Sequence, residues 1–428
     1  MHMHTDHLST TESPPAISRK KAWFAFGMLF LLMLSDYIDR QIIVSLFPHI
    51  KAEWNLSDKQ LGALVSIISI VVALGSLPVA LLADRFGRVK SIVVMGTIWS
   101  LATIACMFTR NYAQLFAARA VVGVGETGYG SVGSALVNAL FPKRLHSTLL
   151  GAFFAAGSLG SVLGVVLGGV ISDHWGWRAA FGVVGVPGLL VAILFIFVPD
   201  YQTQPLRIAA QAGAQIARGP VRLYRTLTHG STLLWASMAG SMQLIVMSSI
   251  WAWTPSYFNR YYGMDVTASA KHAALAVLCG AVGAVLWSVL ADRVGRRNAV
   301  NKLYLMCVLT LATFAVFSYA FLAPLGQQGR FIAILCGSLL MTCAVGAVTS
   351  TVLDVSNPSL RSTGGAVLAL FQNLFGLAIG PFVGGWLSDA WGLQTALSII
   401  PCASVLSALC FWMASRNYAR DVKAVALA

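Results

Sequence analysis

The sequence predicts an all-α membrane protein: twelve transmembrane helices in two six-helix, pseudo-symmetric bundles. Three observations carry this. The 428 residues are 57% hydrophobic and only 10% charged, with a mean hydropathy of +0.75, which excludes an ordinary soluble domain. A helix needs about 20 mostly apolar residues to span a bilayer, and twelve stretches reach that length. The chain also repeats itself. A β-barrel would instead show short alternating strands.

The first stretch, 22–47, follows Arg19, Lys20 and Lys21 and contains Asp36, Asp39 and Arg40. The second and third, 58–83 and 89–109, flank the turn Asp84-Arg85-Phe86-Gly87-Arg88. The fourth, 112–141, carries Arg119 and Glu126 and is loosened by Gly123, Gly125, Gly128, Gly130 and Gly133. The fifth, 146–172, has Gly160, Gly164 and Gly168 at every fourth position, a face of small residues that lets helices approach closely. The sixth is 178–198.

A polar stretch, 199–230, with Arg207, Arg218, Arg222 and Arg225, is predicted to be a cytoplasmic linker with a surface helix. The seventh stretch, 231–258, ends in Trp251-Ala252-Trp253-Thr254-Pro255, and the proline predicts a kink. The eighth to tenth are 267–291, 299–322 and 328–353. The eleventh, 361–388, holds Gln372 and Asn373 and a second glycine series, Gly376, Gly380 and Gly384. The twelfth is 393–415. The expected domains are a tail 1–21, a bundle 22–198, the linker, a bundle 231–415 and a tail 416–428.

Two motifs define the repeat. Ala83-Asp84-Arg85-Phe86-Gly87-Arg88 returns as Ala291-Asp292-Arg293-Val294-Gly295-Arg296, 208 residues later. Gly168-Gly169 with Ser172-Asp173-His174-Trp175-Gly176 returns as Gly384-Gly385 with Ser388-Asp389-Ala390-Trp391-Gly392, 216 residues later. The order is the same in both halves, which suits parallel repeats about an axis along the membrane normal.

The net charge of +14 follows orientation. With both termini in the cytoplasm, 20 of the 29 basic residues fall on inside segments and seven on outside loops, leaving Arg40 and Arg119 within the membrane. Nucleic-acid binding is not needed to explain the charge. The seven cysteines all lie in apolar stretches and read as small buried hydrophobes. No metal site or cofactor is expected.

Five charges stand where charge is expensive. An ionisable group near the bilayer centre costs roughly 2.5–3.5 kcal/mol on insertion scales, so such groups mark proton, ion or substrate paths. Residues three or four apart share a helix face, which groups Asp36 with Asp39 and Arg40; Arg119 and Glu126 lie two turns apart. Three acids against two arginines leave one carboxylate without a full partner, and burial disfavours its charged form. Such a group can carry a proton. The plainer alternative is a pair of static bridges, Asp39–Arg119 with Arg40–Glu126 or the reverse, that fix helix register.

At these motifs the chain resembles a transporter of the major facilitator superfamily. The family's loop motif begins with Gly four residues before the Asp, where this chain has Ala80 and Ser288. A narrower resemblance is to the bacterial branch of the spinster family. It rests on Asp36-Tyr37-Ile38-Asp39-Arg40-Gln41, on Lys51-Ala52-Glu53-Trp54-Asn55-Leu56-Ser57-Asp58-Lys59-Gln60-Leu61-Gly62, on Arg119 through Glu126, and on Arg361-Ser362-Thr363-Gly364. The resemblance spans roughly 22–415. It implies proton coupling through Asp39 and Glu126, with Asp36 a further candidate and Arg40 and Arg119 as charge partners or anchors for an anionic head. It implies a cytoplasmic gate at Asp84, Arg85, Arg88, Asp292, Arg293 and Arg296. Cavity candidates are Tyr129, Gln243, Trp253, Tyr257, Gln372 and Asn373.

The expectation is therefore a proton-coupled secondary transporter working by alternating access, monomeric, in a bacterial inner membrane. Its partners would be the proton, membrane lipids and a small amphipathic anionic or zwitterionic substrate, such as a lysophospholipid or a sphingosine-phosphate-like molecule. The alternatives are a proton-coupled symporter of organic anions or sugar acids and a broad drug exporter. No P-loop, HExxH or GxSxG motif occurs, so neither ATP-driven transport nor an enzyme is expected.

Overall fold

A computed structural model describes residues 18–198, 231–296, 298–356 and 361–426, without the side chains of 77, 80–85, 143, 144, 147, 361–363 and 424–426. The expected linker, the first 17 residues of the expected N-terminal tail and the side chains of Asp84 and Arg85 lie outside that description. The described residues are helical almost throughout.

The N-terminal half comprises α1 (Arg19–Trp54), α2 (Asp58–Phe86), α3 (Arg88–Cys106), α4 (Tyr112–Glu126), α5 (Tyr129–Leu140), α6 (Lys143–Trp175) and α7 (Trp177–Leu194). The C-terminal half comprises α8 (Ser231–Tyr262), α9 (Val266–Gly295), α10 (Ala299–Leu322), α11 (Gln327–Met341), α12 (Ala344–Asp354), α13 (Arg361–Phe371), α14 (Ile379–Trp391), α15 (Leu393–Ile399) and α16 (Cys402–Ala426). Eleven segments among the described residues are long and apolar enough to cross a membrane. The twelfth is α4 plus α5, interrupted at Gly128 (φ 82°), directly after Glu126. Only glycine adopts that conformation freely.

Helix ends overrun the predicted stretches. Ser18 caps α1 by accepting from the Lys21 N–H, and the helix runs 36 residues to a left-handed Asn55. The expected C-terminal tail continues α16 as far as Ala426. Pro255 lies inside an unbroken α8. A π-helical turn, Gln372–Leu377, joins α13 to α14; such turns cluster at functional sites.

Glycines set the approach of the helices that carry charge. A Cβ on Gly160, Gly164 or Gly168 would lie 2.5, 2.6 or 2.7 Å from the carbonyls of Leu34, Ile38 and Ile42. Helix α6 thus packs against the α1 backbone along the stretch that bears Asp36, Asp39 and Arg40. The second series faces α8, where a Cβ on Gly384 would lie 2.8 Å from Trp253 Nε1.

The apolar cores reveal how the halves meet. One core belongs to the N-terminal half and includes Leu29, Trp99, Tyr129 and Phe153. Another belongs to the C-terminal half and includes Leu303, Val348 and Phe411. A third is shared, with Phe47 and Leu61 on one side and Trp253, Tyr257 and Leu387 on the other. The shared core lies at the end remote from Arg19 and Ala426, here termed the distal end. The halves are joined there and keep separate cores at the proximal end.

Candidate functional site

Helices α1 and α4 bring all five intramembrane charges together and resolve their pairing. Arg119 Nη1 donates to Asp39 Oδ1 and to the Asp39 carbonyl, both at 3.3 Å. Arg40 Nε lies 2.9 Å from Glu126 Oε2 and 3.7 Å from Asp36 Oδ1. Asp36 is the acid with the most distant partner. Its Oδ1, both Glu126 oxygens, and Nε and Nη2 of Arg119 are buried without a hydrogen bond. Arg40 is 21% exposed at its side chain, against 5% for Asp36, 2% for Asp39 and 0% for Arg119 and Glu126.

The sequence did not point to Thr103 of α3. Its hydroxyl donates to Asp39 Oδ2 and lies 2.9 Å from the Trp99 carbonyl. A hydroxyl has one proton and can also accept. It can therefore donate to an ionised Asp39, or accept from a protonated one while donating to Trp99.

The cavity candidates separate. Gln243 and Gln372 line one cleft with Gly240, Leu244, Met341, Ala344 and Val345. The Gln243 amide nitrogen donates to the Met341 carbonyl at 3.1 Å, and its oxygen is buried without a partner. Asn373 donates to Ala369 of its own helix. Tyr129 is buried in the N-terminal core, with its hydroxyl donating to the Leu29 carbonyl, and does not line this cleft. Trp253 and Tyr257 are fully buried in the shared core. Trp253 packs at a tilt against Phe47 of the other half, with ring centres 5.2 Å apart, and donates to the Pro381 carbonyl; Tyr257 accepts from Arg330.

At the proximal end, Arg88 donates to the Ala135 carbonyl within its own half. Asp292, Arg293 and Arg296 are exposed and form no side-chain bond among the described residues. Every cross-half hydrogen bond between described residues instead lies distally. The N–H groups of Asp58 and Lys59 donate to Asp389 Oδ1 and Oδ2 at 2.8 Å each. Thr267 donates to Asp173 Oδ2 from its N–H at 2.8 Å and its hydroxyl at 2.6 Å. Asp58 receives Arg260 at 2.6 and 2.7 Å and is also bonded by Lys51 and Ser388. Sequence reasoning did not single out this cluster, although Asp173 and Asp389 stand in its repeat. An acid in the last turn of its own helix is disfavoured by the helix dipole, and that was the available signal.

The profile for the Major Facilitator Superfamily matches residues 29–377. An MFS-type efflux pump of Mycolicibacterium smegmatis is 28% identical over 423 residues, covering 94% of this chain and 95% of that protein. The Sphingosine-1-phosphate transporter SPNS2 of Danio rerio is 25% identical over 389 residues, covering 86% of this chain and 76% of that protein. Among solved structures, a bacterial homolog to the human lysosomal transporter Spinster, inward-facing and unoccupied, superposes with a TM-score of 0.84 at 21% identity, over 95% of this chain and 99% of that one. The chain, a multi-pass membrane protein, belongs to the Major Facilitator Superfamily and is spinster-like.

Proposed function

We propose that the protein is a proton-coupled secondary transporter of an amphipathic anionic or zwitterionic lipid, of the lysophospholipid or sphingosine-phosphate kind. In this reading it works by alternating access, as a monomer in a bacterial inner membrane with both termini cytoplasmic. The distal end is then the outer face.

The observation that carries the reading is the shared claim on Arg40. It is the most exposed of the five intramembrane charges, and it stands 2.9 Å from Glu126. A proton on Glu126 releases Arg40 to an anionic headgroup; a headgroup on Arg40 frees Glu126 to take a proton. Each ligand thereby favours the other, which is the reciprocity that coupling requires. The five intramembrane charges all belong to the N-terminal half, and the C-terminal cleft lined by Gln243 and Gln372 carries no charged residue; that asymmetry suits an amphipathic substrate. The similarity to a sphingosine-1-phosphate transporter supports the same class of substrate. A broad exporter is the second reading, favoured by the similarity to an efflux pump along nearly the whole chain.

The test is flux of a lysophospholipid in proteoliposomes with and without an imposed pH gradient. Gradient-driven flux is expected, and Asp39→Asn or Glu126→Gln abolishes it; Glu126→Gln, which leaves Arg40 beside Asp36, is the variant expected to keep its stability. Full gradient-driven uptake by both variants would remove the proton assignment. Movement of a sugar acid in place of the lipid would shift the protein to the organic-anion class.

A further inference from the structure

We infer that the repeated Gly-Gly-x-x-Ser-Asp-x-Trp-Gly motif is a pair of latches that hold the two halves together at the distal end. This rests on the alternating-access part of the proposed function and on neither its proton nor its lipid part.

Each copy does the same two things to the opposite half. The second glycine permits contact with the start of a helix. A Cβ on Gly169 would lie 2.5 Å from Ala270 Cβ and 3.1 Å from the Val266 carbonyl, at the start of α9. A Cβ on its repeat mate, Gly385, would run into the Asp58 carbonyl and lie 2.9 Å from the Lys59 nitrogen, at the start of α2. Four residues on, the aspartate crosses to the same helix start. Asp173 takes the Thr267 N–H, and Asp389 takes those of Asp58 and Lys59. The final glycine, Gly176 or Gly392, turns the chain away at φ 80° or 82°.

The first N–H groups of a helix have no partner within it and carry partial positive charge. A carboxylate from the other half therefore caps them across the interface. Parting the distal ends leaves both helix starts without these caps. The copies are not equal. Asp389 caps with both oxygens, and beside it Ser388 reaches the buried Asp58 that Arg260 and Lys51 also hold. Asp173 caps with one oxygen and has His49 3.4 Å from the other. The Asp389 latch is the stronger.

The test is a pair of spin-label distances in the full chain, purified in detergent, with the seven cysteines replaced. Labels at Arg110 and Gln328 report the distal end; labels at Lys90 and Asn301 report the proximal end. Asp389→Ala should enlarge the long-distance distal population by roughly fivefold, the size of one lost helix cap. Asp173→Ala should do less, and the double variant more than either. An unchanged distal distribution in the double variant overturns the inference. Gly385→Ala keeps both carboxylates but blocks the seat at Asp58, so it should lengthen the distal distance as well. It carries the test if the aspartate variants fail to fold, and no change there is equally fatal. Distal lengthening without proximal shortening would leave the latches standing and remove alternating access. Neither distance involves substrate or a gradient, so failed lipid flux leaves this result untouched.

Discussion

Arg260 grips Asp58 across the two halves of the molecule, with its two terminal nitrogens 2.6 and 2.7 Å from the two carboxylate oxygens. Asp58 is 3% exposed at its side chain and Arg260 27%. Lys51 and Ser388 occupy further lone pairs of the same carboxylate, while the Asp58 N–H donates to Asp389. One residue is thus clamped through its side chain and capped through its backbone. The guanidinium also lies over Trp253, 6.0 Å from the ring centre, and that ring packs at a tilt against Phe47 of the other half. Polar rim and apolar core form one continuous distal contact.

Arg260→Ala should lower unfolding stability in detergent by about 1.5–3 kcal/mol, the range for hydrogen bonds to a charged group. Lys51 and Ser388 remain to satisfy Asp58, which limits the loss. Arg260→Lys should recover little of it, because one ammonium cannot reproduce two parallel bonds. A double-mutant cycle with Asp58→Asn measures the coupling. Additive losses would mean that the pair contributes nothing beyond its separate contacts.

Arg119 is wholly buried and gives Asp39 its strongest charge partner. Arg119→Ala should cost about 3–5 kcal/mol, because it leaves an uncompensated buried carboxylate. Adding Asp39→Asn should restore most of that loss, since the remaining pair is neutral. The thermal midpoint and the yield of monodisperse protein check this. A double variant no better than Arg119→Ala alone would show that Arg119 acts chiefly through its bond to the Asp39 carbonyl.

Much of this arrangement was legible in the sequence. Hydropathy marked the spans because a bilayer leaves a helix few other compositions. The five charges drew notice because the apolar background makes each costly, and residue spacing left their pairing open between two alternatives. What spacing could not supply was the depth and rotation of α4 against α1, which set Arg119 beside Asp39 and Arg40 beside Glu126. The interruption after Glu126 was foreshadowed by the glycine run, although no residue in it identifies Gly128 as the break. The distal cluster was hidden for another reason. Asp58, Arg260 and Asp389 are ordinary helix-end residues, and they become a site only when two halves more than 200 residues apart in sequence close on one another. Tyr129, Trp253 and Tyr257, expected as cavity lining, are buried in the cores instead, because a sequence does not show which face of a helix an aromatic ring takes.

Thr103 provides the last prediction. It is 1% exposed and is the one neutral side chain bonded to the Asp39 carboxylate among the described residues. Thr103→Val keeps the shape and removes both the donor and the acceptor. Asp39 then loses a bond worth about 1.5–3 kcal/mol to a charged group, and a protonated Asp39 loses its acceptor as well. Gradient-driven flux should fall by at least about tenfold, since 1.4 kcal/mol is a factor of ten. Thr103→Ser keeps the hydroxyl and should retain most of the flux, despite the lost methyl group. Equal flux in the Val and Ser variants would mean that the hydroxyl only satisfies the Trp99 carbonyl, and that Asp39 does not depend on it.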